Sequence, residues 1–316
     1  MAASPLTPAL LQAFFVQSET RFQKAYLDHL PYWDKFAEFV PSSTETTIHN
    51  WIAQMADMEE WVGEKTVRAI KARAYPITNK PFHHTYEVDR DKIADDQAGV
   101  YARAPEMQAE AGARWPEAVV TKQLLSGLTA VGYDGQPFFD ANHPVDIDDP
   151  SLGVYSNYNT GSTLTATTYA TAKAQMRSFK GEAGISLQLQ PTILMVGPTL
   201  EKTAKEIVQA TNITIPVRNV AGTEIVAAAA ATNVWQGDTT LIVNERLIDD
   251  TAGAWYMFST NRVKPLAFQQ REAVHRIPLV NPSDPNVFNM RKFVFSIEAR
   301  GAGGFTLPFT AIKNVP

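Results

Sequence analysis

The chain has 316 residues, 45% of them hydrophobic and 19% charged, enough apolar material for one large domain or two smaller ones. A formal net charge of −5 argues against a dedicated DNA binder, which would carry surplus Lys and Arg. The absence of cysteine excludes disulfides, cysteine-bearing zinc sites and thiol nucleophiles. With no basic leader and no apolar run near spanning length, the chain is expected to fold in a cytoplasm without export or membrane anchoring.

Residues 6–30 read as an amphipathic helix. Thr7 suits the N-cap and Pro8 the first helical position, and Leu10, Leu11, Phe14, Phe15, Phe22, Tyr26 and Leu30 recur near helical spacing. A core-packing terminal helix and an arm reaching a neighbouring subunit both produce that pattern. Over 66–90 the period changes to two: in FHHTYEVD, Phe82, His84, Tyr86 and Val88 alternate with His83, Thr85, Glu87 and Asp89. The preceding TVRAIKARAYPI reads as a partner strand, and Asn79 and Pro81 as the turn, which predicts one long hairpin. Its first arm is basic, with Lys65, Arg68, Lys71 and Arg73, and Lys80 at the turn. The flanks are acidic, with Glu59 and Glu60 before it and Asp89 and Asp91 after it. A ribbon of one sign beside ground of the other suits docking onto a copy of itself, and a solvated surface hairpin is the plainer reading.

Helical spacing returns over 96–131, through Val100, Ala104, Met107, Ala111, Trp115, Val119, Leu124, Leu128 and Val131. Pro105 and Pro116 should kink or divide this helix. A shorter helix follows, capped by Thr167 or Thr168, and then a strand over 192–196. Gly197 and Pro198 break the chain before a helix from 199 to about 210, and another strand spans 239–247. The chain ends in β-patterned runs: WYMFS, VKPLAFQQRE and NMRKFVFSIEAR up to Gly301. These blocks follow the grammar of an α/β or α+β protein.

Candidate chemistry is concentrated in 133–149, YDGQPFFDANHPVDIDD, where Asp134, Asp140, Asp146, Asp148 and Asp149 accompany His143. Carboxylates with an imidazole are what a divalent metal or an acid–base pair requires, so a metal-dependent hydrolase centred on Asp134, Asp140 and His143 is one reading. The other is a turn-rich connector. Asp134-Gly135 is a strong turn dipeptide, Asn142, Pro144 and Pro150 are turn residues, and Phe138 and Phe139 would pin the loop to a core. His83 and His84 point to opposite faces of a strand, and His29, His49, His143 and His275 lack ligand spacing. VGPTLEK and GAGG are poor phosphate and dinucleotide fingerprints, and no cofactor is expected.

Taken together, WVGEKTVRAIKARAYPITNKPF, VDRDKIADDQAGVYA, YDGQPFFDANHPV, VKPLAFQQRE and NVFNMRKFVFSIEARGAGGF resemble the major head subunits of bacteriophage Mu and Mu-like prophages. The resemblance runs from about Trp61 to Phe305 and implies a major capsid protein of the Hong Kong 97 fold. The parts it implies are an N-terminal arm over 1–60, an E-loop hairpin over 61–92, and a peripheral domain with a long spine helix over 93–184. An axial domain would cover 185–252, and the strands of 253–316 would return to the peripheral domain. The loop of Tyr133, Asp134, Gly135, Phe138, Phe139, Asp140 and His143 then becomes a family signature that caps the spine helix in a protein without catalytic activity. The implied partners are copies of the chain in hexamers and pentamers, a separate scaffolding protein, a portal, and minor capsid or decoration proteins. Double-stranded DNA would be enclosed without sequence-specific binding, in a virion assembled in the bacterial host cytoplasm, with no membrane involved. An encapsulin-like compartment shares the fold and is the nearer rival.

Overall fold

The computed structural model describes residues 8–52, 72–94, 100–181, 184–218 and 225–316. In chain order α1 (Pro8–Asp28) precedes β1 (Ala37–Pro41), β2 (Thr46–Ile52), β3 (Ala72–Thr78), β4 (Lys80–Asp89) and the short α2 (Arg90–Ala94). Next come α3 (Ala104–Ala113), α4 (Trp115–Leu125), β5 (His143–Pro144), β6 (Val154–Tyr155), β7 (Tyr158–Asn159), α5 (Ala166–Ser178), β8 (Ile193–Val196) and α6 (Glu201–Val208). The chain closes with β9 (Asn212–Arg218), β10 (Ile225–Thr232), β11 (Thr240–Val243), β12 (Trp255–Phe258), β13 (Leu266–Leu279), α7 (Pro285–Met290), β14 (Lys292–Phe305) and β15 (Ala311–Asn314).

The helix expected over 96–131 is divided where its prolines require. Pro105 and Pro116 each sit in the first turn of their helix, where a missing N–H breaks no bond, and Arg114 forms the joint between α3 and α4. The α5 cap is Thr165 rather than Thr167 or Thr168. Its hydroxyl accepts from the Thr168 N–H at 3.1 Å and the Thr168 hydroxyl accepts from the Thr165 N–H at 2.9 Å, a reciprocal capping box.

The hairpin expected over 66–90 does not form. β3 pairs antiparallel with β2, from Thr46↔Thr78 to Ile52↔Ala72, and β4 pairs with β14, from Lys80↔Gly301 to Asp89↔Lys292. Asn79 is a hand-over between two sheets, not the tip of a turn. It is buried, its Nδ2 donates to Ser42 Oγ at 2.9 Å and Thr44 O at 2.8 Å, and its N–H donates to Glu45 O. Those bonds commit β3 to the β1–β2 side. The alternation in FHHTYEVD is real, but its inner face meets other partners: Phe82 lies 5.4 Å from Trp115 and Tyr86 stacks on Phe295 at 5.1 Å.

One sheet runs β1-β13-β14-β4 and another β11-β8-β12-β15-β7. The strands after residue 252 are thus divided between sheets, because β12 and β15 lie with β8 while β13 and β14 lie with β4. The five-stranded sheet is a wall between two cores. Ile193, Met195, Tyr256, Phe258 and Ala311 face a cluster containing Val120 and Leu124 of α4 with Phe268 and Phe305. Their alternates Leu194, Val196, Trp255, Met257 and Ile312 face Tyr169, Ala172 and Met176 of α5 with Ala204 and Ile207 of α6. A strand buried on both faces needs a continuous apolar run, which is what ILMV and WYMF supply.

GAGG lies inside β14, not after it. A Cβ on Gly301 would stand 2.5 Å from Gln269 O, and one on Gly303 would stand 2.8 Å from Gln123 Cβ and 3.0 Å from Val119 O. The glycines let α4 and the neighbouring strand approach the β14 backbone. A third, smaller cluster docks α1: Phe22 packs with Ala109 of α3 and Ile297 of β14, and Phe15 meets Phe293 edge-on at 5.1 Å. Beneath α1 lies Arg276, its side chain 4% exposed, donating to Glu19 Oε2 (3.1 Å), Ser18 Oγ (2.9 Å) and Tyr86 Oη (3.1 Å). Its guanidinium also stands over the rings of Phe22 and Phe295.

Candidate functional site

The loop 133–149 uses its aspartates on its own backbone. Asp134 Oδ1 accepts from Gln136 N–H, Asp140 Oδ1 from Asn142 N–H, Asp146 Oδ1 from Asp148 N–H and Asp149 Oδ1 from Ser151 N–H. Each is an Asx turn closing two residues ahead, which is why these residues recur at bends. Gly135 takes φ +82°, a conformation that costs an L side chain about 1–2 kcal/mol.

The apolar residues pin the loop as the sequence suggested. Phe138 N–H donates to Ala130 O and Phe139 N–H to Gly127 O, so the loop closes the end of the α4 segment. Phe138 stacks on Phe305 at 4.2 Å with planes 12° apart, and Phe139 lies 5.6 Å from Tyr256. Gly127 makes room for the Phe139 ring, which would lie 2.5 Å from any Cβ there.

Of the three residues read as a metal or acid–base set, two come together. His143 Nδ1 lies 2.6 Å from Asp134 Oδ2, with the side chains 0% and 1% exposed, so no substrate reaches them. Asp140 is turned away to its own Asn142 amide. Tyr133 lies close enough to Tyr155 to add to the rise of that hydroxyl's pKa, which burial drives well above the ordinary value. The residue that sequence reasoning missed is Asn157. Buried completely, it donates from Nδ2 to Phe138 O (2.7 Å) and Pro308 O (3.0 Å), and its Oδ1 accepts from the Asp140 N–H (2.9 Å). Asn157, one of two asparagines in SNYNT, gave no signal beyond that of a turn residue.

The predicted interface residues are spread apart. Lys65, Arg68, Lys71, Glu59 and Glu60 lie outside the described residues. Arg73 is in β3 opposite Trp51. Lys80 is exposed at the start of β4, Asp89 ends that strand opposite Lys292, and Asp91 pairs with Arg291 at 2.9 Å. Lys80 and Asp89 therefore belong to the four-stranded sheet and Asp91 to α2 just after it, and none of the three to the ribbon.

The β2–β3 ribbon is fastened at its root. Gln269, fully buried, donates from Nε2 to Ile77 O (3.1 Å) and Asn79 Oδ1 (2.8 Å), and its Oε1 lies 2.7 Å from His49 Nε2. The arm is fastened at its far end. Tyr32 N–H donates to Glu117 Oε1 at 3.1 Å, and the Tyr32 hydroxyl donates to Asn244 Oδ1 at 3.2 Å. Burial, with Glu117 and Glu245 nearby, pushes that hydroxyl up to about 12, so it stays a neutral donor.

A helix arm, a two-stranded ribbon rooted in one sheet, and a second sheet between two cores are the parts of the Hong Kong 97 fold, the class of fold found in phage major capsid proteins. The fold is similar to that of the procapsid of bacteriophage JBD30, with a TM-score of 0.57 at 22% identity over 98% of this chain and 75% of that one. It also aligns, at a TM-score of 0.51 and 19% identity over 98% of this chain and 72% of that one, with the JBD30 capsid decorated with minor capsid protein trimers. The sequence then fixes the family. Residues 11–164, 155–247 and 233–315 match the Mu-like prophage major head subunit gpT, and the chain belongs to that family. It is 35% identical over 140 residues to the major capsid protein of Escherichia phage Mu, covering 44% of this chain and 46% of that protein. It is 32% identical over 160 residues to the FluMu major head subunit of Haemophilus influenzae, covering 50% and 52%. The chain thus spans about half the length of the curated relatives it matches.

Proposed function

We propose that the chain is the major head subunit of a Mu-like phage or prophage. In this reading, copies associate as hexamers and pentamers into a closed icosahedral shell around double-stranded DNA. The observation that carries this reading is the family match, which runs from residue 11 to residue 315. Each subunit offers modest contacts, and closed symmetry multiplies them until the shell is stable. The arm, the ribbon with its Arg73, and the basic residues Lys65, Arg68 and Lys71 that precede β3 in sequence are the contacts we assign to neighbours. A net charge of −5 suits a lining along which DNA slides without being held.

Assembly takes place in the bacterial host cytoplasm with a separate scaffolding protein and a portal. The decorated JBD30 shell supports a minor capsid protein as a further partner. In this reading the subunit's role is structural, in keeping with Asp134 and His143, which are sealed at 1% and 0% exposure and hold a loop.

The test is electron microscopy of the expressed chain, alone and with its neighbouring phage genes, after sizing by sedimentation. Closed shells or capsomer rings are expected. A stable monomer under both conditions overturns the reading, and shells filled with an enzyme in place of DNA would move the protein to the encapsulin-like class.

A further inference from the structure

The signature loop lies on the seam between the two cores. Phe138 and Phe139 belong to the cluster that contains α4, whereas Tyr155, which stacks on His143 at 5.2 Å, packs against the cluster that contains α5. His143 and Asn157 stand between them, and Asn157 also reaches the Pro308 carbonyl from the C-terminal segment.

Hydrogen-bond logic places the protons there. Asn157 Nδ2 faces two carbonyl oxygens, those of Phe138 and Pro308, and only the amide nitrogen suits both. The remaining amide atom is then the oxygen, consistent with its acceptance of the Asp140 N–H at 2.9 Å. His143 Nε2 lies 3.2 Å from that oxygen and must donate to it. On the other side of the ring, Nδ1 lies 2.6 Å from Asp134 Oδ2, while Asp134 Oδ1 already accepts from the Gln136 N–H. Two acceptors, one at each ring nitrogen, call for two ring protons, and a neutral imidazole carries one.

We infer that His143 is a buried imidazolium paired with the Asp134 carboxylate, and that this ion pair is the bolt joining the two cores of the subunit. The groups around the ring agree with a one-to-one pair. The Tyr155 hydroxyl is kept neutral by its burial, with Tyr133 and Asp134 adding to the effect, so no second anion faces the imidazolium from that side. The Asp140 carboxylate is engaged by the Asn142 amide. A charge-assisted bond of this kind is shorter and stronger than a neutral one, which the 2.6 Å contact matches. Its cost is that either partner left alone is a bare charge in an apolar seam.

The experiment is long-range proton–nitrogen NMR on the unassembled 316-residue chain labelled at histidine nitrogen, at neutral pH, with the His143 signals assigned by their loss in His143→Gln. Protons on both ring nitrogens are expected. A bare ring nitrogen overturns the assignment and needs no variant that alters the pair. Hydrogen exchange on Asp134→Asn tests the bolt. The amides of Asp140, Asn157 and Lys313, which bond across the seam, should exchange roughly tenfold faster or more, the effect of losing one hydrogen bond to a charged group. The amides of β8 and β12 inside the wall should be unchanged. Unaltered exchange at all three seam amides would remove the bolt role even if the imidazolium stood.

Discussion

Arg276→Ala should release the arm without unfolding the rest of the subunit. The guanidinium is 4% exposed because α1 lies over it, and its hydrogen bonds tie α1 to β4 while it stands over the Phe295 ring of β14. The Glu19 contribution is discounted to about 0.5 kcal/mol, since that carboxylate is half exposed. The bonds to Ser18 and Tyr86 join a charge to neutral hydroxyls and contribute about 1.5–3 kcal/mol each before desolvation. Standing over Phe22 and Phe295 adds about 1 kcal/mol. Against this stands the penalty of burying the charge, several kcal/mol, with Nε left unpartnered. The net loss on truncation is about 3 kcal/mol, because removal also opens a cavity beneath Phe22. That corresponds to roughly a hundredfold faster amide exchange along α1, at about 1.4 kcal/mol per factor of ten. Exchange mass spectrometry of the unassembled chain measures it, with β8 and β12 as internal controls. Arg276→Met, which keeps much of the apolar volume over the two rings, should lose far less. Should α1 amides in Arg276→Ala exchange at the wild-type rate, the arm is held by Phe15 and Phe22 alone and the reasoning fails.

Gly303→Ala should destabilise the subunit by about 1–3 kcal/mol in urea titration, because its Cβ would press on the Val119 carbonyl of α4 at 3.0 Å. Phe138→Ala should cost about 3–5 kcal/mol, given its complete burial and its stack on Phe305, and unfolding midpoints would show it. Gln269→Ala should loosen the ribbon root by about 1–3 kcal/mol, read as faster cleavage in β2–β3 under limited proteolysis, because Ile77 O and Asn79 Oδ1 lose their donor. Reversing charge at Lys71 and Arg73 together should stop shell closure while circular dichroism of the subunit stays unchanged, and normal shells would withdraw those residues from the interface.

The local pieces follow from short stretches of the chain. Pro8 and the Phe15, Phe22 and Tyr26 spacing specify α1, Pro105 and Pro116 specify the division between α3 and α4, and ILMV and WYMF announce strands buried on both sides. These signals act through sterics and periodicity within a few residues of the chain, so they survive without a tertiary context. The turn chemistry of 133–149 was legible for the same reason, since an aspartate closes a bend two residues ahead of itself. The motifs shared with Mu-like head subunits carried the family.

Partnership was decided only by the folded chain. FHHTYEVD carries the period of a strand, but nothing in that period says that β14 rather than TVRAIKARAYPI will lie beside it. Asn79 settled the matter through bonds to Ser42 and Thr44, about 35 residues away and invisible to spacing. The glycines of GAGG look like a loop in isolation, and they are strand residues because Trp115, Gln123 and Ile77 occupy the space where side chains would stand. Asn157 had no local signature at all. Its role exists only because the carbonyls of Phe138 and Pro308 arrive at one nitrogen from segments 19 and 151 residues away, and a buried polar group must find its partners wherever the fold brings them.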